Sequence, residues 1–396
     1  MRETNGVIVV GAGPVGMTAA LALRANGVPV TILEAEGEDR ARPGSRAIFI
    51  HRESLEHLEA VSDGLGWEIA RHGIVWTTKK TYYGEDLVYE RTYPPPDPTR
   101  LPHSTNLSQV VIEQLLLDAC KRAGVDIVWN QELTSSTTSP EEVVLRTVSD
   151  EWRAPYVIGA DGARSVVRSS AGIELEGPRI EDSFVIVDVA EDETSPMLPE
   201  RVFYYEHPAV HGRNVLLVPF AGGIRADLQL RPDDDPEQFN DEEGVKRWIS
   251  RVLPAKYADR VTWVSTYRFY QVVASAFTDR HRRIALVGEA AHLFAPFGAR
   301  GLNSGIPDAL VAARAIAEGT PTAIEHFALS RREAALYNRD ASSLALRHMQ
   351  ANGWRVRLER RVKASIAKRG IAAGTWLDSS PFGPRATEHK TETGSY

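Results

Sequence analysis

Val7-Ile8-Val9-Val10-Gly11-Ala12-Gly13-Pro14-Val15-Gly16 decides the fold class of this 396-residue chain. Four β-branched residues in succession read as a strand buried on both faces, and they run directly into Gly-x-Gly-x-x-Gly. Residues 17–25, rich in Ala and Leu, predict a helix that Gly27 stops, and residues 28–33 predict a second strand ending at Glu34. Strand, glycine turn, helix and strand, with an acidic residue about 20 positions after the first glycine, make a dinucleotide-binding βαβ unit. Each residue type has a physical task. Gly11 permits the tight turn, Gly13 lets a pyrophosphate approach the backbone, Gly16 lets helix pack on strand, and Glu34 accepts hydrogen bonds from a ribose. The unpaired N–H groups at the helix start face the phosphates. This motif leaves FAD and NAD both open, while Glu34 repels a 2′-phosphate.

Composition narrows the class. Hydrophobic residues are 43% and charged residues 25%, an ordinary globular balance. Lys and Arg total 46 against 53 Asp and Glu, a net charge of −7 with no basic run, which argues against a nucleic-acid partner. Cys120 stands alone, so it forms no internal disulfide or thiolate metal site, and a reducing cytoplasm is the expected compartment. The apolar part of the longest uncharged stretch, residues 7–23, carries Gly11, Gly13, Pro14 and Gly16 and falls short of the ~20 apolar residues of a membrane helix. It also lacks a signal peptide's basic start, so no integral membrane association is expected. His51, His103, His207 and His211 have no ligand spacing, and no metal is expected.

Two later stretches repeat the strand-then-glycine theme. Tyr156-Val157-Ile158 leads into Gly159-Ala160-Asp161-Gly162-Ala163-Arg164, and Ile284-Ala285-Leu286-Val287 leads into Gly288-Glu289-Ala290-Ala291-His292. Pro296-Phe297-Gly298-Ala299-Arg300-Gly301-Leu302-Asn303-Ser304-Gly305 follows, and then a helical run over 308–318. With these three motifs in this order, the chain resembles the flavin-dependent aromatic hydroxylases, single-component FAD monooxygenases of the p-hydroxybenzoate and 3-hydroxyphenylpropionate hydroxylase type. The resemblance covers residues 7 to about 317.

That resemblance implies specific roles. Gly11, Gly13, Gly16 and Glu34 would hold the ADP half of FAD. Asp161, with Gly162 and Arg164, would lie near the pyrophosphate, linked to both FAD and NAD(P)H. Gly288 and Glu289 would contact the ribityl chain, Gly301, Leu302 and Asn303 the pyrimidine edge, and Pro296 the substrate side of the ring. Arg46, in Ser45-Arg46-Ala47, and Gln109, in Ser108-Gln109, match flavin-contacting positions, with a salt-bridging surface role as the plain alternative for Arg46. His292 follows the Gly-Glu turn, where it can touch flavin or substrate or make a structural hydrogen bond. A helix beginning near Leu302 would turn its positive end toward the reduced ring's negative charge, with Pro307 in its first turn. The chain departs from the family at Glu289, where aspartate is usual. It departs also at Ala299 and Arg300, in place of Gly and Gln, at Ala295, in place of proline, and at Val272, in place of arginine. No counterpart of the family's C-terminal thioredoxin-like extension is expected.

The implied fold is α/β: a Rossmann-like FAD-binding domain with an inserted, mainly antiparallel β-sheet substrate domain and a C-terminal helical segment. The expected divisions are 1–175 for the first part of the FAD domain, with part of the substrate pocket near 65–105, then 176–275 for the substrate domain. Residues 276–330 complete the FAD domain, and 331–396 form the helical segment and tail. Residues 184–189, 201–205, 214–219, 225–230 and 261–273 read as strands, with 221–223 as a hairpin connection and 241–253 as a helix. Period two puts Arg225, Asp227 and Gln229 on one face, either solvated or lining a pocket. It likewise puts Tyr267, Phe269 and Gln271 on one face, either pocket or core. Residues 93–102, with five prolines, read as a surface loop. Residues 385–396 read as a frayed polar end, and Arg331-Arg332 and Arg360-Arg361 as solvated helix charges.

The function implied is hydroxylation of a small aromatic or heteroaromatic substrate with NADPH or NADH and O₂ through a C4a-hydroperoxyflavin, by a monomer or homodimer. The cofactor carries the chemistry and the protein excludes water and orients the ring. The competing readings are an FAD oxidase or dehydrogenase without oxygen insertion and a non-catalytic flavin-binding regulator.

Overall fold

The computed structural model describes residues 2–4, 6–40, 47–350, 354–367 and 371–382. Val7–Val10 is the middle strand of a five-stranded parallel sheet, ordered Ile284–Leu286, Val157–Gly159, Val7–Val10, Val30–Leu33 and Asp126–Val128. All four of its residues are buried, which is what an unbroken β-branched run permits. The helix Pro14–Ala25 leaves this strand through the glycine turn and packs against the helix Arg300–Glu318. The carboxyl ends of Val7–Val10, Val157–Gly159 and Ile284–Leu286 each run into one of the glycine motifs, so the three motifs share one edge of the sheet. That edge is where an open α/β sheet binds ligands.

A second, seven-stranded sheet runs Val261–Tyr270, Arg179–Ala190, Gly223–Gln229, Arg213–Phe220, Glu200–His207, Thr78–Tyr83 and Asp86–Thr92. Its pairings are antiparallel except the one between Glu200–His207 and Thr78–Tyr83, where a hairpin from the N-terminal part of the chain joins. Alternation separates its faces. Val185, Val187, Leu217, Ala226 and Leu228 pack with Trp248 and Ile249 of the helix Glu242–Val252, capped by the Asp241 carboxylate. Phe184, Ile186, Phe203 and Tyr205 point the other way, onto Ala295, Phe297 and the C-terminal helices Pro321–Gln350, Trp354–Ala367 and Ile371–Ser379. Residues 93–102 form no regular element.

Three local expectations change. Residues 261–273 are two strands in two sheets: Val261–Tyr270 stays in the large sheet, and Val272–Ala274 pairs with Leu175–Glu176 and His292–Leu293. The break falls at Gln271, whose carbonyl lies against the backbone of Gly177, leaving no room there for a Cβ. The glycine-rich segment's helix begins at Arg300, two residues before Leu302, following Ala299 in the left-handed conformation (φ 56°). Pro307 consequently sits inside the helix rather than in its first turn, removing the N–H that would pair with the Asn303 carbonyl. Finally, Arg331 and Arg360 are only 4% and 3% exposed, although their neighbours Arg332 and Arg361 reach solvent. Successive helical residues point about 100° apart, so adjacent arginines do not share a face.

Candidate functional site

Gly11 holds φ 103°, and a Cβ there would lie 2.5 Å from the Ala160 carbonyl oxygen, so only glycine lets the first turn rest on the Asp161 segment. A Cβ on Gly16 would collide with the Gly11 carbonyl. Gly13 differs, because a Cβ on it would meet nothing within 4 Å. This open space lies before a helix whose cap makes no side-chain hydrogen bond and whose first turn holds no acidic residue. Its first N–H groups therefore have no side-chain acceptor, and the space beside Gly13 is a cradle that fits a pyrophosphate.

Glu34 closes the other end of the cradle. Its carboxylate accepts from the Ala12 N–H (2.6 Å) and the Glu36 N–H (3.1 Å), with Arg40 at 3.2 Å. Arg40 also donates to the Ala12 carbonyl (3.2 Å), lies 3.8 Å from Glu113 and stands over the Trp129 ring. Glu113 in turn accepts from Gln109 Nε2 at 2.7 Å. Arg40 and Glu113 thus brace the turn, and the sequence reading missed both. The one local signal was the i, i+4 pair Gln109 and Glu113 on the helix Gln109–Arg122.

The second motif stands against the first through Ala160. The Asp161 carboxylate accepts from Ser165 Oγ (2.5 Å) and from the N–H groups of Val166 (2.7 Å) and Val167 (3.0 Å), while Arg164 is exposed. The third motif meets the first at Val15. A Cβ on Gly288 would lie 3.0 Å, and one on Gly305 2.6 Å, from a Val15 methyl. Residues nearly 300 positions apart therefore nest on one side chain. Glu289 faces solvent beside this contact, and Gly301 is exposed at the start of the helix Arg300–Glu318. Asn303 sews that helix to the strand Ala47–His51 and the helix after it. Its Oδ1 accepts from the His51 N–H (3.0 Å) and Ser54 Oγ (2.7 Å), and its Nδ2 donates to the carbonyls of Phe49 (2.8 Å) and Ala299 (2.7 Å). With its amide so engaged, Asn303 leaves the N–H groups at the helix start as the donors of this segment. Leu302 is half-buried between them.

His292 is 1% exposed, and its Nε2 meets Asp308 Oδ2 at 2.6 Å. Asp308 also accepts from Arg331 Nε (2.8 Å) and the Gly288 N–H (3.2 Å). Burial pushes the Asp308 carboxyl upward, but Arg331 and His292 outweigh it and hold the group below its ordinary value. The His292 ring stacks on Phe294 at 4.5 Å. This cluster fixes the Gly-Glu turn from beneath. Asp308 and Arg331 also escaped the sequence reading, although Arg331 lies in the buried stripe of Ile324, Phe327, Ala328 and Ala335, an odd place for a charge. Ser45 and Arg46 lie outside the described residues, as do the side chains of Tyr267 and Phe269. Val272 is buried between its two neighbouring strands.

Past Pro296, which is half-buried, Phe297 forms one wall of a cavity whose other walls include Phe184, Phe203, Leu216, Asn214 and Asp227 of the large sheet, closed by Met349. Asp227 and Gln229 are each 7% exposed, so the face they share with Arg225 is largely buried and not a solvated surface. Among the described residues no cluster of His, Cys, Asp and Glu could hold a metal ion, and no helix is long and apolar enough to cross a membrane.

A family model described as FAD binding domain matches residues 4–327. The chain belongs to this FAD-binding family. It is 27% identical over 314 residues to a 3-(3-hydroxy-phenyl)propionate/3-hydroxycinnamic acid hydroxylase of Mycolicibacterium gilvum, an alignment covering 76% of this chain and 52% of that protein. It is 31% identical over 316 residues to the 6-methylpretetramide 4-monooxygenase of Streptomyces rimosus, covering 76% and 54%. The chain thus spans about half the length of these curated relatives. Its FAD-binding fold superposes on the crystal structure of p-nitrophenol 4-monooxygenase from Pseudomonas putida with a TM-score of 0.78 at 24% identity, over 97% of this chain and all of that one. The cradle before Gly13, the carboxylate of Glu34 and the uncapped helix start at Arg300 fit FAD's pyrophosphate, ribose and electron-accepting ring.

Proposed function

We propose that this protein is an FAD-dependent monooxygenase that uses NADPH or NADH and O₂ to hydroxylate a small aromatic or heteroaromatic ring. One observation carries the reading: the glycine motifs meet at one edge of the parallel sheet, the second against the first through Ala160 and the third through Val15, and the segment following the third sets Phe297 against Phe184 on the aromatic face of the second sheet. A nucleotide site flanked by a dry, aromatic face suits oxygen transfer to an aromatic ring. The names of the curated relatives, a hydroxylase and a monooxygenase, point the same way.

Bound FAD supplies the two-electron chemistry and the reaction with O₂. The chain's residues bind, orient and shield. Gly13 and the start of Pro14–Ala25 hold the pyrophosphate, and Glu34, steadied by Arg40, takes the ribose. Asp161 shapes the loop beside the pyrophosphate. Glu289, carried on a turn fixed by Asp308, reaches the ribityl chain, and His292 acts through that same carboxylate. Gly301, Leu302 and Asn303 present the positive end of a helix to the ring, Gln109 and Arg46 complete the flavin contacts, and Pro296 faces the substrate. Phe184, Phe203 and Phe297 keep the region beyond Pro296 apolar and exclude water from it. A reducing cytoplasm fits the single thiol, Cys120, which burial pushes up to about 12.

The test is isotopic. Under ¹⁸O₂ with NAD(P)H and an electron-rich aromatic substrate, the product is expected to gain one labelled oxygen atom. Unlabelled oxidised product with stoichiometric peroxide would identify an oxidase instead.

A further inference from the structure

The helix Trp354–Ala367 is apolar on the side that faces away from the protein. Arg360 and Ala364, 3% and 6% exposed, turn inward, and the Arg360 guanidinium lies 5.2 Å from the centre of the Tyr205 ring. Trp354, Leu358, Val362 and Ile366 turn outward and are 65%, 53%, 48% and 52% exposed. Side chains four residues apart share a helix face, so these four form one stripe along about 18 Å of helix. Single exposed apolar side chains are ordinary, whereas a row of them in register marks a surface that meets something.

Charge says what it meets. Arg355, Arg357 and Arg361 are exposed around the stripe, and the helix's one acidic residue, Glu359, lies 3.6 Å from Lys363. A cationic and apolar helix thus stands on a chain whose net charge is −7. Its complement is a surface both anionic and apolar, and an anionic lipid bilayer is one: the acyl boundary takes Leu358, Val362 and Ile366, the headgroup level suits Trp354, and phosphates meet the guanidiniums. A second copy fits less well. Two such stripes face to face would bring arginines against arginines, and four side chains fall far short of the roughly 20–30 residues a side of a stable interface. Residues 383–396 offer only Tyr396 as a large apolar side chain, too little to cover the stripe.

We propose that Trp354–Ala367 is a peripheral docking helix that lays its stripe on an anionic membrane surface, in the plane of the headgroups. At 14 residues it is too short to span a bilayer. With one short apolar row and a few arginines, its docking is reversible and weakened by salt. Such docking is independent of the chemistry at the flavin site.

The measurement is co-sedimentation of the FAD-loaded full chain with two kinds of vesicle, one of phosphatidylcholine alone and one of phosphatidylcholine mixed equally with phosphatidylglycerol. At low salt the anionic vesicles should bind it roughly ten-fold or more tightly than the neutral ones, and high salt should release it. Leu358→Glu and Val362→Glu, at positions already half in solvent, should each weaken that binding by roughly ten-fold or more. Arg355→Gln together with Arg357→Gln should erase most of the preference for anionic lipid. Leu329→Glu changes a leucine that is 66% exposed on the helix Pro321–Gln350, away from the stripe, and should bind as the wild type does. Equal binding of the wild type to both vesicles, or undiminished binding of Leu358→Glu, would overturn the proposal. So would a wild type that binds neither vesicle, and if that protein is a dimer which Leu358→Glu splits, the face belongs to a second copy. The wild-type comparison needs no variant, so it decides the matter even where a substitution disturbs folding.

Discussion

Gly13 and Asp308 show how differently a single residue can matter at this site. Around Gly13 the protein itself leaves room for a side chain, so packing does not require the glycine, whereas a pyrophosphate held there would. Gly13→Val is therefore expected to fold with a near-normal thermal transition and to purify without flavin colour, the branched side chain filling the phosphate's place. A fully yellow variant would contradict this. Asp308 is the reverse case, almost fully buried and receiving Arg331, His292 and the Gly288 N–H together. Removing one partner of a buried ion pair costs about 3–5 kcal/mol, so Asp308→Ala should lower the urea midpoint markedly and lose FAD with it. Because the folded carboxyl titrates below its unfolded value of about 4, its contribution is complete above that pH. It fades as acid brings the solution down through the folded value.

At the scale of elements, the helix Pro321–Gln350 ties the two halves of the molecule together. One stripe of it packs on the FAD-binding core through Ile324, Phe327 and Arg331, and a later stretch, Ala345, Leu346 and Met349, packs on the large sheet. His348 belongs to that second contact. The Tyr205 hydroxyl donates to the Leu377 carbonyl (2.6 Å), so the 2.9 Å contact between Tyr205 and His348 Nε2 is one in which the imidazole donates and stays neutral. Burial, then the nearby Arg360 and Lys363, press the imidazole down to about 4. The unfolded chain takes up this proton near 6.5, so stability is whole above that pH and declines as pH falls from 6.5 toward 4. The loss is up to roughly 3 kcal/mol. His348→Phe should flatten the dependence of the denaturant midpoint on pH across that window, and an unaltered slope would exclude His348 as its source.

Across the whole molecule, what sequence made legible was whatever local chain chemistry determines. The strand, glycine turn and helix at residues 7–25 follow from β-branched continuity and from three glycines, and the shared face of Arg225, Asp227 and Gln229 follows from period two alone. Which side of the sheet that face would meet was not legible, because it depends on the helix Glu242–Val252 claiming the other side. Nor were the choices of distant partners: Arg331 for Asp308, or Asn303 for Phe49 and Ser54, across gaps that no periodicity spans. The division of residues 261–273 between two sheets was hidden for a related reason, since alternation continues unbroken through Gln271 while the obstacle comes from Gly177.

The nesting of Gly288 and Gly305 on Val15 also sets a timetable. At about 5–20 residues per second on the ribosome, the turn at Gly11 is made roughly 15–60 s before the segments that complete its surroundings have been synthesised. A nascent chain can lay down the first strand and helix at once, but capture of the cofactor must wait until Gly305 has been translated. Flavin uptake is in that sense a checkpoint on synthesis: the yellow colour certifies that the two ends of a very long sequence loop have found each other.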